Sequence, residues 1–487
     1  MIFERKRIIK YLYLKALLIL IIAAFTGCKT LENASTPALQ QVPAAFTDSV
    51  VAPSPMLTWK DVFADSNLTS LIGQALENNF DLRAGVQRIR IAEANMRLSK
   101  ASLLPSLNAG ISAGLDKFGR YTMNGVGNYD TNLSPNINGK QRIPDPTADY
   151  FIGLRSSWEV DIWGKLSNRK KAAYSRYLSS QKGQQWYRTQ LISQVADMYF
   201  ELISLDKQMK ILGANIKLQK KGVEIIEAQQ AGGRATSLAV RQFKAQMLST
   251  EGKQFEIRQT IKRTENELNA LLGRYPAEIT RDTAAISKVL PSKIYAGLPA
   301  EVLLRRPDIQ EAELELKAAN ADVQAARKAL LPSLKLDAYS GFNSFKLPLL
   351  FSPGSLASGV LAAITGPIFN RGALKNGKKI ATATQMTAFY NYQQHLVQGY
   401  QEVATQLSAI NNFKEAYRLK AMEVSELREA LSTANDLYLA GYANYLEVIV
   451  AQGSVLNAEI EQVNLKKQSY SALIQLFRAL GGSEQQA

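Results

Sequence analysis

The spacing of hydrophobic and polar positions changes twice within each half of the chain. The first long stretch has helical spacing and is ended by Pro105. Apolar and polar residues then alternate one by one over about 107–115. After a loop rich in Gly, Asn and Pro they alternate again over about 150–162. The second half repeats this near 334–338 and, less cleanly, near 356–364. A period of two predicts four strands, each with one apolar and one polar face.

Very long helices are predicted after each pair of strands. No proline occurs from about 168 to 230, and apolar residues recur there at alternating intervals of three and four, as in coiled coils. The seam comprises Val195, Met198, Leu202, Leu205, Met209, Leu212, Ile216, Val223 and Ile226. The same register returns between Val403 and Leu431. A helix of this length extends about 95 Å, and a turn at 231–233 leads into a return helix over about 237–272.

The chain contains an internal duplication of one structural unit. Leu104-Pro105-Ser106-Leu107 recurs as Leu331-Pro332-Ser333-Leu334, and Leu272-Gly273 recurs as Leu480-Gly481. The spacing between copies shortens from the first pair to the second, so the first copy has the longer loop after its Leu-Pro-Ser-Leu motif. We expect a signal peptide at 1–27, a lipidated N-terminal segment at 28–60, a first repeat at 61–273 with its β-hairpin at 107–162, an equatorial linker at 274–303, a second repeat at 304–482 with its β-hairpin at 334–365, and a tail at 483–487.

The N-terminus has the parts of an export signal, with basic residues at 5–10 followed by an apolar stretch at 16–25. Phe25-Thr26-Gly27-Cys28 resembles the bacterial lipobox, although Phe25 stands where Leu is usual. That resemblance implies a covalent diacylglycerol and an N-acyl lipid on Cys28 and no other cofactor. Cys28 is the only cysteine of the chain, and an incidental buried thiol is the alternative. The residue after Cys28 is Lys29, whereas lipoproteins that are retained in the inner membrane commonly have Asp there, so the implied destination is the outer membrane.

Composition narrows the classes of function. The net charge of the 487-residue chain is +16, but the basic residues are spread along the helical patterns, so we expect solvated helix faces and no nucleic-acid partner. The single histidine, His395, lies on a predicted long helix, where we expect a packing or surface residue and no metal ligand. The absence of a nucleophile–base or metal-ligand motif argues against catalysis. A periplasmic enzyme with paired carboxylates and a lipid-anchored coiled-coil scaffold or adhesin both stay open, although the scaffold leaves the strands unexplained.

Three further motifs are Leu304-Arg305-Arg306-Pro307-Asp308-Ile309, Trp158-Glu159-Val160-Asp161-Ile162-Trp163-Gly164 and Ala440-Gly441-Tyr442-Ala443-Asn444-Tyr445-Leu446. Together they resemble the TolC-like outer-membrane efflux proteins, more closely the lipoprotein branch of tripartite RND pumps, over about 50–482. The resemblance implies a mixed α and β fold. A duplicated unit would give a long α-helical coiled-coil barrel and four transmembrane β-strands per chain, contributing to a trimeric 12-stranded β-barrel. The residues alone require only an oligomer, because four strands cannot close a barrel and open sheet edges in lipid are costly.

The same resemblance implies a function. The chain would be the outer-membrane channel subunit of a tripartite efflux pump, passively conducting drugs, metal ions or other substrates. Its partners would be two sister copies in a homotrimer, a periplasmic membrane-fusion adaptor, an inner-membrane RND-type pump and outer-membrane lipid. It would be lipid-anchored in the bacterial outer membrane and extend into the periplasm.

Family members narrow to a gate and dock the adaptor at two helix–turn–helix tips. The corresponding residues here are Gly232, Gly233, Arg234, Gly441, Tyr442, Asn444 and Tyr445. Ala443 stands where many relatives place Asp, so an acidic ring is not expected. We expect Arg306 and Asp308 to begin a helix with partnered charges, with Pro307 in its first turn. Trp158 and Trp163 are candidates for an aromatic girdle.

Overall fold

The structure, a computed structural model, describes residues 37–46, 59, 65–283 and 298–482. The proposed signal peptide and Cys28 lie outside these residues. The chain forms two compact units. Of the described residues, the strand unit comprises 37–39, 97–172 and 318–389, and the helical unit comprises 40–46, 59, 65–96, 173–283, 298–317 and 390–482. Each unit therefore contains segments from both halves of the sequence.

The elements follow the order that the sequence pattern predicts, with some additions. In chain order they are α1 (Ser66–Asn78), α2 (Phe80–Ala101), β1 (Ser106–Asp116), α3 (Met123–Leu133), β2 (Thr147–Val160), α4 (Lys165–Ala231), α5 (Ser237–Leu271), α6 (Pro299–Arg305), α7 (Pro307–Lys328), β3 (Ser333–Ser344), β4 (Leu356–Thr365), α8 (Ala373–Ala440) and α9 (Tyr445–Ala479). The pattern did not predict α3 or the short α6. None of the helices among the described residues is both long and apolar enough to cross a membrane.

The four strands form one antiparallel sheet in the order β1-β2-β3-β4. Leu107 lies opposite Ser156, Trp158 opposite Leu336, and Leu336 opposite Ala362. The pairing of β2 with β3 joins the two halves of the chain. Hairpin patterns predict only the pairs that are adjacent in sequence, so this central pair was not predicted.

The long helices exceed the predicted length slightly. α4 has 67 residues and α8 has 68, which corresponds to about 100 Å each. The Asp161 carboxylate accepts hydrogen bonds from the backbone N–H groups of Leu166 (2.9 Å) and Ser167 (2.8 Å), and so satisfies free donors in the first turn of α4. The predicted seam is buried at Val195, Leu202, Leu205, Leu212, Ile216, Val223 and Ile226.

The core of the helical unit brings α1, α4, α5 and α9 together. Tyr199 and Ile203 of α4 are fully buried there beside the seam, and Phe200 stacks on Tyr470 of α9 with ring centroids 4.4 Å apart. α4 therefore packs on several helices at once, and its buried surface is wider than a two-helix seam. The seam residues predicted for α8 are buried at Val403, Ile410 and Val424.

Candidate channel wall and hairpin tips

The two faces of the sheet differ completely in charge. Residues directly opposite in an antiparallel sheet share a face, so the strand register assigns every side chain. One face carries Leu107, Ile111 and Leu115 of β1 and continues through Ile152, Leu154, Trp158, Leu334, Leu336, Phe342, Val360 and Ile364. No charged residue of the four strands lies on it. Ile111 and Val360 are 81% and 82% exposed, so no described part of the chain covers this apolar face at these two positions.

All charged residues of the strands lie on the opposite face. They are Asp116, Asp149, Arg155, Glu159, Lys335 and Asp337. Four carboxylates against two bases give this face a net charge of −2, in contrast to +16 for the whole chain. The guanidinium of Arg155 lies 4.7 Å from the ring centroid of Phe151, and the amide of Asn343 donates to Asp149 at 2.6 Å.

The turn between α4 and α5 and the turn between α8 and α9 have the same backbone geometry. Gly233 has a φ of +72° and Gly441 a φ of +82°, values that glycine adopts without strain. The next N–H group in each turn, of Arg234 or Tyr442, donates back five residues to a carbonyl of the ending helix at 2.8 or 2.9 Å. This is the Schellman motif. The sequence-predicted tip glycines therefore end the helices in both copies.

The helices leaving the turns are capped differently. The hydroxyl of Thr236 accepts from the N–H of Ala239 at 3.2 Å at the start of α5. Asn444 caps α9, and its own backbone N–H donates to the Glu447 carboxylate at 3.2 Å in a capping box. The prediction of Asn444 as a tip residue thus falls on a helix cap.

The two tips of one chain pack against each other. Val223, Ile226, Val240 and Phe243 form a buried cluster, and Tyr438, Tyr445 and Ile449 from the other tip pack on it. The hydroxyl of Tyr438 donates to the amide oxygen of Gln229. Tyr445 is thus part of this cluster, whereas Tyr442 is 86% exposed. Gly232 and Arg234 are exposed as well.

The Arg306-Pro307-Asp308 segment begins α7 and its charges are partnered, as the sequence predicted, and the structure shows in addition that the two charges pair with each other and are buried. Arg306 is 1% exposed and Asp308 6% exposed, and the two form a bidentate pair at 3.0 and 2.7 Å. Arg306 also donates to the carbonyl of Ala479 at 2.9 Å, and its Nη1 lies 2.9 Å from a Glu402 oxygen. Its guanidinium carbon is 5.0 Å from the Trp186 ring centroid. The cluster joins α4, α7, α8 and α9.

Two titrating groups of this cluster are shifted. Burial alone would raise the pKa of Asp308, but the neighbouring His395 imidazole and the ion pair with Arg306 outweigh it and lower the pKa to about 2. The nearby Asp308 carboxylate raises the pKa of His395 above its ordinary value. His395 Nδ1 lies 3.9 Å from an Asp308 oxygen. The single histidine therefore lies beside a buried carboxylate and forms an ion pair with it when protonated, which its position in the sequence did not indicate.

The two tryptophans of the second motif make hydrogen bonds in the strand unit. The indole N–H of Trp158 donates to the carbonyl of Leu103 at 2.9 Å, and that of Trp163 donates to Pro332 at 2.6 Å. Trp158 lies on the charge-free face, and Trp163 is 47% exposed. Both indoles thus present an apolar body with a bonded polar group, as in interfacial tryptophans.

A sheet with one charge-free face and open edges at β1 and β4, together with two helices about 100 Å long, is typical of a channel protein of the outer-membrane type. A family model described as "Outer membrane efflux protein" matches residues 71–274 and 298–482. The chain belongs to this family. It is an efflux channel protein of the outer membrane, and the enzyme and scaffold alternatives are removed because the family consists of channels.

Individual relatives match over almost their whole length. The probable outer membrane lipoprotein SilC of Salmonella typhimurium is 30% identical over 475 residues, which is 96% of this chain and 98% of that protein. The cation efflux system protein CusC of Escherichia coli (strain K12) is 30% identical over 465 residues, 94% and 97% of the two chains. Among solved structures, one of CusC has a TM-score of 0.77 at 28% identity, covering 94% of this chain and all of that one. The open state of the Neisseria gonorrhoeae MtrE channel has a TM-score of 0.79 at 26% identity, covering 93% and 98%.

Proposed function

We propose that three copies of the chain close a twelve-stranded barrel, with β4 of each copy pairing with β1 of the next. The charge-free face would then meet lipid and the face with net charge −2 would line a wet lumen. The observation that carries this proposal is the combination of that apolar face with edge strands at both sides of the sheet. Each unpaired edge group left in lipid would cost several kcal/mol, and closure by sister copies removes this cost.

Measurements of oligomeric state and of ion conductance test this proposal. Purified protein in detergent should run as a trimer that heating dissociates, and it should conduct ions in a planar bilayer. Protein that has been unfolded and carried through the same detergent exchange serves as the control for leaks caused by detergent. A monomer that does not conduct would contradict the proposal.

The channel is proposed to be passive and to receive its substrate from an inner-membrane RND-type pump through a periplasmic membrane-fusion adaptor. We assign the gate and the adaptor contact to the two tips, at Gly232, Gly233, Arg234, Gly441, Tyr442, Asn444 and Tyr445. The exposure of Tyr442 and Arg234 supports contact with a partner, and the packing of Tyr445 supports a role in holding the two tips together. Tyr442→Ser should weaken adaptor binding and leave the trimer intact. A similarly exposed tyrosine outside the tips, Tyr275 (93% exposed), provides the control in Tyr275→Ser.

We also propose that Cys28 carries the lipid anchor, which would place the chain in the lipoprotein branch. The name of SilC as a probable outer membrane lipoprotein supports this assignment. Metabolic labelling with a fatty acid should label the wild type and not Cys28→Ala. Because a barrel stays in the membrane without its lipid, Cys28→Ala should still fractionate with outer membranes. Unlabelled wild-type protein would contradict the lipid proposal and leave the channel proposal standing.

A further inference from the structure

The loop between β1 and β2 exposes an apolar surface on α3. This loop accounts for the extra length of the first sequence copy. Five large apolar side chains on or next to the helix are each more than half exposed: Tyr121 (102%), Met123 (88%), Val126 (56%), Tyr129 (70%) and Leu133 (65%). We call these residues the α3 surface. Contiguous exposed apolar surface of this kind marks a contact site.

The loop is held in place by hydrogen bonds, so the exposure of the α3 surface is a property of its folded form. The hydroxyl of Thr122 accepts from the N–H of Gly125 and caps the helix. The Asn132 side chain both donates to the carbonyl and accepts from the N–H of Ile143, at 2.9 and 2.8 Å. The amide of Asn128 donates to the hydroxyl of Thr147, the first residue of β2, at 3.2 Å.

The two limbs of the loop have different neighbours. The limb that returns to β2 is bound by the β3–β4 loop, because Lys346 Nζ donates to the carbonyls of Gly139 (2.8 Å) and Lys140 (3.1 Å). The limb that contains α3 directly follows β1, which is an edge strand. The α3 surface thus belongs to the limb at the open side of the sheet.

A second apolar surface precedes the other edge strand. In the loop before β4, Leu347 is 60% exposed and Phe351 is 69% exposed. We call these two residues the 347–351 surface. The strands are antiparallel, so the end of β1 and the start of β4 lie at the same end of the sheet, at its two opposite edges.

We propose that the α3 surface of one copy binds the 347–351 surface of the neighbouring copy. The inference rests on the proposed trimer. When β4 of one copy pairs with β1 of the next, the residues before β4 and after β1 become neighbours at that seam. Both surfaces are then buried by a second copy of this chain, and the contact fixes which edges pair. No charge of the chain has to be desolvated at the named positions.

Cysteine cross-linking in the full-length protein tests the contact. The double variant Met123→Cys/Phe351→Cys, treated in outer membranes with a bifunctional maleimide, should give covalent dimers and trimers on a denaturing gel. Each single variant should run as a monomer on the same denaturing gel. The wild type should do the same, which controls for cross-linking through Cys28. Cross-linking of Met123→Cys alone would show that three α3 helices meet one another and would overturn the proposal. An uncrosslinked double variant in an intact trimer would also overturn it, because the surfaces then face lipid or solvent.

A thermodynamic cycle gives a second, independent readout. Met123→Ser and Phe351→Ser should each lower the temperature at which the trimer dissociates in detergent. If the side chains touch, the double variant should lose less than the sum of the two single variants. Additive losses would contradict the contact. Loss of the trimer in the wild type would instead contradict the barrel proposal, so the two failures can be told apart.

Discussion

The buried ion pair at the start of α7 allows a quantitative prediction for Asp308→Asn. The carboxyl pKa falls from 3.8 to about 2 in the folded chain, which corresponds to about 2.5 kcal/mol of stabilisation above pH 4. Removing one partner of a buried pair costs about 3–5 kcal/mol because the other charge loses its compensation. Arg306 keeps the Glu402 carboxylate and the Ala479 carbonyl. We therefore expect a loss near the low end, about 3 kcal/mol.

A nearby exposed pair supplies the matched control. Glu301 and Arg305 lie 3.7 Å apart with side chains 60% and 53% exposed, so Glu301→Gln should cost at most about 1 kcal/mol. Denaturant unfolding in detergent, followed by the helical circular dichroism signal, compares both variants with the wild type at pH 7. Because the folded-state pKa of Asp308 is lowered, its contribution is present above pH 3.8 and is lost as the pH falls towards 2. Equal losses in the two variants, or a loss in Asp308→Asn that persists unchanged at pH 2, would refute the reasoning.

Three further predictions follow from the same structure. Asp308 and Glu311 raise the pKa of His395, whereas Arg306 lowers it. Protonated His395 should therefore stabilise the fold below pH 6.5, and this effect should be lost as the pH rises through the folded-state pKa. Between pH 5 and 8 the denaturant midpoint of unfolding should change less with pH in His395→Gln than in the wild type. Gly233→Ala should cost about 1–2 kcal/mol by denaturant unfolding because of its positive φ, whereas the control Gly232→Ala, whose φ is not positive, should cost less, and equal costs would contradict the strain argument. In planar bilayers, Asp149→Asn/Asp337→Asn should shift the reversal potential towards anions because the polar strand face becomes neutral, while Asp130→Asn in the exposed loop should leave it unchanged.

The strand faces could be predicted from the sequence because alternation is local. Leu107, Ile111 and Leu115 recur at every second position, and the register places them on one face as expected. The pairing of β2 with β3 could not be predicted, because it joins residues about 180 positions apart, such as Trp158 and Leu336. Neither long-range pairings nor sheet order leaves a periodic signal in the sequence.

The charge cluster and α3 show two further limits of prediction from the sequence. The motif predicted that Arg306 and Asp308 begin a helix and have charged partners, but it could not name Trp186, Glu402 and Ala479, which come from three other helices. α3 contains two glycines and three asparagines among its 11 residues, a composition with low helix propensity. It is helical because Thr122 caps it and because two of its asparagine side chains bind the return limb and β2. Tertiary bonds here override local preference.

The two tips share one backbone conformation but differ in their exposed side chains. Gly233 and Gly441 end their helices with the same hydrogen bonds, so the geometry of reversal was retained after duplication. The residue that follows is Arg234 in one tip and Tyr442 in the other, and both side chains are exposed. In the proposed trimer, six tips would therefore alternate between a cationic and an aromatic side chain. If a partner docks on this ring as proposed, we expect it to present an acidic and an apolar contact in alternation, because a single repeated contact would match only every second tip.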